Sequence, residues 1–288
     1  MRFFTTILCI VLLLLASCGE SLENTTLWKI EGNNLENPSY LFGTIHIGCD
    51  LVLESKVKRA MDSTAILVTE IHPDELWAEE LDLQQQLVAL PNGNTLHDYM
   101  NAEEYNMLRD YLMAYNGLDI DDYQTNHPMH FSVYYMPPEL NCAYYDSFEA
   151  LLTDYAYDND KEFGGLETLE FQRTLTLNTP VEEHIDYLLK EARSGKPANS
   201  DALRMMIIHY NNQDLNGLER IILSDKYTKS WRMNDVMLDD RNHNWLPKID
   251  SIASIQPTFF AVGAAHLLGE QGLIKLLREQ GFVLTPVF

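Results

Sequence analysis

A short motif, Gly-x-x-His, occurs twice in the chain, and both copies have the same surroundings. The first copy fills residues 43–46 and ends in His46, and the second fills residues 263–266 and ends in His266. Each copy follows a short apolar run and precedes a helical pattern and then a second apolar run. The two regions are therefore predicted to be two copies of one unit that consists of a strand, a turn with histidine, a helix and a strand.

This repeat constrains the fold, because parallel strands joined by crossover connections place their turns at the same edge of a sheet. We expect an α/β fold with a small central mixed β-sheet covered by helices and a largely helical middle region between the two halves. A glycine at the end of a strand permits a positive φ or a close approach of backbones. The two histidines are thereby predicted to meet at one site, although they lie far apart in sequence.

Residues 1–17 are predicted to be a signal peptide. An arginine precedes an apolar stretch, residues 3–15, which is too short to span a bilayer comfortably. The small residues before Cys18 resemble a bacterial lipobox, in which the cysteine is acylated and becomes the first mature residue; a plain signal peptide cleaved nearby is the alternative. Residues 18–26 are then a lipid-anchored tether, and residues 27–288 form the folded domain.

The predicted anchor places the domain in the cell envelope, attached to a membrane through lipid alone. Glycine rather than aspartate follows Cys18, and this resemblance to lipoprotein sorting in double-membrane bacteria favours the outer membrane, on its periplasmic or surface face. In such an oxidising compartment Cys49 and Cys142 can pair, although free thiols fit the sequence equally well. The formal charge of −23 argues against nucleic-acid binding and is compatible with divalent cations and with neutral or basic substrates.

Acidic residues stand at two further positions where a strand is expected to end. Glu70 is part of an otherwise apolar run, residues 65–71, and a charge there is costly to bury without a partner. An exposed strand end is the alternative. Glu167 follows a double glycine that we interpret as a strand-to-helix turn, and Glu170 is expected to share its face if the helix begins at once. Solvated acids at the start of a helix would give the same pattern.

A polar segment, residues 239–245, precedes the second motif copy and contains Arg241 and Asn242. An arginine can bind a carboxylate through two hydrogen bonds or stabilise an oxyanion, whereas a surface ion pair is the structural alternative. The chain contains no His-Glu-x-x-His motif, no Gly-x-Ser-x-Gly motif and no phosphate-binding glycine loop. Standard zinc peptidase, serine hydrolase and nucleotide-binding sites are therefore not indicated.

Taken in their order along the chain, these motifs resemble the TraB/PrgY/GumN family, which includes the TIKI proteases. The resemblance extends over nearly the whole chain after the leader and implies a TIKI-like fold, related to the EreA/ChaN-like proteins. For the TIKI branch it implies a peptidase that depends on a divalent metal such as manganese or cobalt, with zinc as the next choice. It also implies a metal site formed by His46, Glu167 and His266. The catalytic residues that it implies nearby are Glu70, Arg241 and Asn242.

Together these features predict a metal-dependent hydrolase that cleaves a peptide or protein substrate. Two imidazoles and one carboxylate leave a metal position open for water. Glu70 or Glu170 would accept the proton of that water, and Arg241 would steady the charge that develops on the substrate. Two alternatives stay open. One is a lipid-anchored module that binds or sequesters a peptide without cleaving it, and the other is an esterase that uses a metal-free His/Glu pair.

Overall fold

The computed structural model describes residues 22–46, 48–78, 89–129, 131, 145–195, 200–222 and 234–288. The predicted signal peptide, its lipidation site Cys18 and also Cys142 lie outside these ranges. The strands are β1 (Leu27–Gly32), β2 (Ser39–Thr44), β3 (Gly48–Cys49), β4 (Ile66–Ile71), β5 (Tyr145–Asp146), β6 (Glu162–Glu167), β7 (Thr258–Gly263) and β8 (Phe282–Pro286). The α-helices are α1 (Ser55–Asp62), α2 (Pro73–Ala78), α3 (Ala102–Asn116), α4 (Phe148–Asp158), α5 (Leu169–Leu177), α6 (Val181–Ser194), α7 (Ser200–Asn211), α8 (Leu215–Ile222), α9 (Asp240–Ile255) and α10 (Leu273–Glu279).

The main sheet has its strands in the order β6-β4-β7-β2-β1-β8, and β3 pairs separately with β5. Strand β7 runs parallel to both of its neighbours, β4 and β2, and β6 runs parallel to β4. Among the described strands of this sheet, β1 alone is antiparallel to its neighbours, β2 and β8. The sheet is mixed and helices pack against it, so the structure confirms the predicted α/β fold class.

The two motif copies belong to interlocked halves. In the first half β2 leads through α1 to β4, and in the second half β7 leads through α10 to β8. Strand β7 of the second half lies between β4 and β2 of the first, and β1 separates β2 from β8. Since neighbouring parallel strands end at the same edge, both Gly-x-x-His turns lie side by side at the carboxyl edge of the sheet, as predicted.

The hairpin of β1 and β2 determines the direction in which the chain reaches the first motif copy. Its turn begins with Gly32, Asn33 and Asn34, whose φ angles are 84°, 48° and 63°. Glycine and asparagine adopt this left-handed region more readily than other residues. The resulting register places Leu27 opposite Phe42, both of them buried, so β2 enters the middle of the sheet with its carboxyl end at the candidate site.

The double glycine at 164–165 lies inside strand β6, which corrects its interpretation as a strand-to-helix turn. A Cβ on Gly165 would lie 2.5 Å from the backbone nitrogen of His72, so the chains can approach this closely only without a side chain. Glu167 is the last residue of the strand, and α5 begins two residues later. Glu167 and Glu170 therefore do not share a helical face, and Glu170 is exposed.

Cys49 lies in β3 and is disulfide-bonded. Its partner lies outside the described residues, but the free-thiol alternative no longer applies to Cys49. None of the helices in the described part of the chain is both long enough and apolar enough to cross a membrane.

Buried apolar residues form two clusters, one around the main sheet and one among the helices of the middle region. The second cluster includes Leu108 of α3 and Leu188 of α6. Beside it His127 and His184 are both buried, and their rings meet edge to face with centroids 5.0 Å apart. Burial lowers the pKa of His127 to about 4, and the neighbouring His184 lowers it further in the same direction. His127 is therefore neutral in the folded protein at neutral pH.

We predict that protonation of His127 destabilises the fold as the pH falls from about 6.5 to about 4. An imidazole whose pKa is lowered by folding binds its proton more readily in the unfolded chain, so stability is lost across this window. At about 1.4 kcal/mol per pKa unit the loss amounts to roughly 3 kcal/mol. Urea denaturation should show a smaller acid-induced loss for His127→Gln, whereas His97→Gln, at an exposed ring, should behave like the wild type. Equal pH dependence in His127→Gln and the wild type would contradict this interpretation.

Candidate active site

The carboxyl edge of the main sheet brings together charged residues that are far apart in sequence. Glu70 lies near the end of β4 and Glu167 at the end of β6, while His266 lies in the short helical turn after β7. Arg241 approaches them from the first turn of α9. The exposed fractions of these side chains are 12% for Glu70, 3% for Glu167 and 4% for both His266 and Arg241. The edge thus contains a buried ionic cluster.

Arg241 is the cation at the centre of this cluster. Its Nε and Nη2 donate to Glu167 Oε1 at 3.0 Å and 2.8 Å. Nη2 also donates to Glu70 Oε2, while Nη1 donates to the carbonyl oxygen of Met237 at 2.9 Å and to His266 Nε2 at 3.0 Å. A guanidinium has five N–H donors, and these contacts use all of them. In this arrangement Arg241 has no donor left for a substrate oxyanion.

Glu167 accepts hydrogen bonds on both of its oxygens. In addition to Arg241, Trp245 Nε1 donates to Oε2 at 2.9 Å and Gln172 Nε2 donates to Oε1 at 3.2 Å. The guanidinium of Arg241 also lies over the ring of Trp245, 4.6 Å from its centroid, as in a cation–π contact. These contacts are those of a carboxylate that neutralises Arg241, and they leave no free oxygen for a metal ion.

His266 is held as a neutral imidazole by the two hydrogen bonds of its ring. Arg241 can only donate, so His266 Nε2 accepts, and Nδ1 donates to Asn242 Oδ1 at 2.7 Å. The amide of Asn242 is oriented by its own donation to the carbonyl oxygen of Gln271 at 2.7 Å. Burial lowers the pKa of His266 to about 3, and the charge of Arg241 acts in the same direction. His266 Nε2 thus keeps its lone pair at neutral pH.

His46 forms the rim of the cluster, with 68% of its side chain exposed. Its Nδ1 donates to Glu149 Oε1 at 3.0 Å, and this hydrogen bond raises the pKa of His46. A Cβ on Gly263 would lie 3.2 Å from His46 Nε2 and 3.3 Å from Glu70 Oε1, so the missing side chain lets both groups lie against this glycine. His266 Nε2 lies 3.7 Å from the same Glu70 oxygen. His46 Nε2 and Glu70 Oε1 therefore lie on the same side of Gly263, and His266 Nε2 lies beside that carboxylate oxygen.

Glu70 is ionised at neutral pH. Its Oε1 accepts from the backbone nitrogen of Gly263 at 2.8 Å, and its Oε2 accepts from Arg241. Burial alone would raise the pKa of Glu70, but the charges of Arg241 and His46 and the hydrogen bond from the backbone of Gly263 lower it. The permanent charge of Arg241 is the cause that we consider decisive. A general base works best with a pKa near the operating pH, so Glu70 is better suited to be a ligand than a base.

The two motif turns pack against each other through their small residues. A Cβ on Gly43 would lie 3.0 Å from Cα of Ala264, the residue that follows the glycine of the second copy. Gly263 has a φ of −52°, and Gly43 is likewise outside the left-handed region. Of the two reasons for glycine that the sequence offered, close approach is therefore the one that applies.

The structure gathers most of the residues predicted from sequence. Glu70, Glu167, Arg241, Asn242 and His266 lie in the buried cluster, and His46 lies at its rim. Glu170 is exposed on α5, and among the described contacts no hydrogen bond or ion pair joins its carboxylate to the cluster. The sequence analysis missed the side chains that hold the predicted ones in place. They are Thr44, Glu149, Gln172 and Trp245.

Among the described residues, no three histidine, cysteine, aspartate or glutamate side chains are grouped as they would be around a bound metal ion. The donor chemistry nevertheless fits a divalent ion at His46 Nε2, Glu70 Oε1 and His266 Nε2, which are two imidazoles and a carboxylate. Each Nδ1 donates to an oxygen on a helix, as is usual for metal-binding histidines. In this arrangement Arg241 donates to the lone pair of His266 Nε2. That hydrogen bond would have to break before His266 could bind an ion.

We predict that Glu167→Gln lowers the free energy of unfolding but leaves metal binding in place. The variant removes one of two carboxylates from a buried guanidinium, and breaking a buried ion pair typically costs about 3–5 kcal/mol. Chemical denaturation measures this loss, and titration calorimetry with Mn²⁺ measures binding. Glu162→Gln, at the exposed start of the same strand, is the matched control and should change neither. Unchanged stability with loss of Mn²⁺ binding would instead make Glu167 a ligand, as the resemblance implies.

Comparison with known proteins identifies the family. The model of the TraB/PrgY/gumN family matches residues 26–286. The chain is also similar to a zebrafish (Danio rerio) protein, metalloprotease TIKI2, with 23% identity over 326 residues that cover 90% of this chain and 60% of that protein. The chain thus spans about 60% of the length of this relative, and no solved structure shows a significant match. The resemblance read from the motifs is confirmed, and the chain belongs to the TraB/PrgY/gumN family.

Proposed function

We propose that the chain is a divalent-metal-dependent hydrolase of peptide bonds, attached by lipid at Cys18 to a membrane outside the cytoplasm. Membership of the family and the similarity to a metalloprotease support a hydrolase. One observation carries the proposal. The two motif histidines, His46 and His266, place Nε2 on the side of the site where Glu70 Oε1 lies, while each Nδ1 donates to an oxygen. This is the geometry of histidines prepared to bind a metal ion.

His46 and His266 would hold the ion through Nε2, with Glu70 as the third donor. Manganese or cobalt is our first choice of metal, and zinc is the second. A bound divalent ion supplies Lewis-acid polarisation of the scissile carbonyl and lowers the pKa of water towards neutrality. His266 suits this role because it is neutral, and Glu70 suits it because it is ionised.

The charge balance of the cluster also favours a cation. Glu70, Glu167 and Glu149 contribute three negative charges, whereas Arg241 and His46, whose pKa is raised to about 9, contribute two positive charges. His266 is neutral, which leaves an excess of one negative charge. The cluster is buried except at His46, so a substrate reaches it from that side. The formal charge of the chain, −23, favours neutral or basic peptides over acidic ones.

We predict that His46→Ala and His266→Ala each lose Mn²⁺ binding and peptide cleavage together, because each removes a metal donor. Since even the residues that orient metal ligands contribute about 10–100-fold, the loss for a ligand should be larger than that. Glu70→Gln should also weaken Mn²⁺ binding. The measurements are metal content by elemental analysis and cleavage of a peptide library by mass spectrometry. His243→Ala, an exposed histidine on α9, is the matched control and should keep both properties.

Folded variants of His46 and His266 that keep both their metal and full cleavage would refute the proposal. A wild-type protein that binds Mn²⁺ and cleaves no peptide would instead support the non-catalytic binding module that the sequence left open.

We predict that Cys18→Ala releases the protein from membranes or blocks its maturation, because the acyl chains would have no attachment point. Membrane fractionation followed by immunodetection measures this. Cys9→Ala removes the other cysteine of the leader and leaves the lipobox intact, so it should fractionate like the wild type. Normal processing and membrane retention of Cys18→Ala would rule out the lipid anchor.

A further inference from the structure

Glu149 is fixed beside the first motif copy by the start of helix α4. Ser147 forms the N-terminal cap of that helix, and its Oγ accepts from the backbone nitrogen of Ala150 at 3.1 Å. Phe148 packs edge to face on Phe42 of β2, with ring centroids 5.3 Å apart. Glu149 therefore projects from the first turn of a helix that is anchored to the strand leading to His46. A carboxylate is electrostatically favoured at this end of a helix.

The carboxylate of Glu149 binds both polar side chains of the motif turn. Thr44 Oγ1 donates to Glu149 Oε1 at 2.5 Å, and His46 Nδ1 donates to the same oxygen at 3.0 Å. The other oxygen, Oε2, is buried and has no hydrogen-bond partner among the described residues. A buried acceptor without a partner costs free energy, which offsets part of what the two hydrogen bonds to Oε1 contribute to stability.

The two motif histidines differ in how much the surrounding protein restrains them. His266 is 4% exposed, and its ring packs on Trp245 with centroids 4.4 Å apart. His46 is 68% exposed, and among the described residues Glu149 is the one that forms a hydrogen bond with its ring. The orientation of His266 is thus determined by packing as well as by Asn242, whereas that of His46 depends on Glu149.

We propose that Glu149 is the positioning residue of His46: it accepts from Nδ1, with Thr44 holding the accepting oxygen, and so keeps Nε2 against Gly263, on the side where Glu70 Oε1 lies. The role in metal binding rests on the proposed function, but the orientation of the ring does not. Glu149 binds Nδ1 of His46, not Nε2, the atom proposed to bind the metal. It therefore acts through His46.

The test uses Glu149→Ala in the full-length protein, with Asp154→Asn as the matched control. Asp154 is an exposed acid on the same helix. The ring of His46 is followed by the chemical shift and ¹³C relaxation of its Cε1–H group, assigned by comparison with His46→Gln. We expect a restrained ring in the wild type and in Asp154→Asn, and a mobile ring in Glu149→Ala. In titration calorimetry, Mn²⁺ binding should weaken about 10–100-fold in a Glu149→Ala protein that is shown to be folded.

The outcomes separate the two proposals. A mobile ring in Glu149→Ala supports positioning even if the wild type binds no Mn²⁺ and cleaves nothing, in which case only the proposed function fails. A ring with wild-type shift and relaxation in Glu149→Ala overturns positioning, whatever the enzyme does. If Glu149→Ala does not fold, Glu149→Leu takes its place, since leucine fills a similar volume and has no acceptor for His46 Nδ1; an unchanged ring together with unchanged Mn²⁺ affinity in that variant also overturns it.

Discussion

The buried guanidinium of Arg241 is the interaction on which the site depends. Two carboxylates, Glu70 and Glu167, lie at the ends of neighbouring parallel strands. Because both are buried, their negative charges would repel each other strongly if no cation lay between them. Arg241 binds both and also ties α9 to the edge of the sheet. A fully engaged arginine with 4% exposure is a rigid part of the fold, and because its charge is permanent it keeps Glu70 ionised for a partner at the rim.

The residues at the centre of this site could be predicted from sequence because each of them belongs to a short motif. A strand that ends in Gly-x-x-His, or in a glutamate after an apolar run, indicates which residue stands at the carboxyl edge. Parallel pairing then brings such residues together without any knowledge of the intervening chain. His46, Glu70 and His266 were found in this way, and their meeting around Gly263 is the expected result of β7 lying between β4 and β2.

The supporting residues could not be found in the same way, since their positions depend on tertiary packing. Glu149 and Gln172 belong to ordinary amphipathic helices, and nothing near them in sequence indicates that they reach the sheet edge. The double glycine at 164–165 is not a strand-to-helix turn. Gly165 is needed because the backbone of His72, which follows strand β4, approaches it closely, and the sequence does not show that approach. Glu170 was favoured by its spacing from Glu167, but that argument requires a helix where the chain is still a strand.

The interlocked order of the strands has a consequence for how the protein acquires activity during synthesis. Strand β7 lies between β4 and β2, and the hydrogen bond from Gly263 to Glu70 joins residues 193 positions apart. Until residues 258–263 have joined the sheet, β2 and β4 have no common neighbour, and Glu70 and His46 have no surface on which to meet. Contacts of such long range form slowly. A nascent or truncated chain would therefore be inert, which delays any hydrolytic activity until the fold is complete.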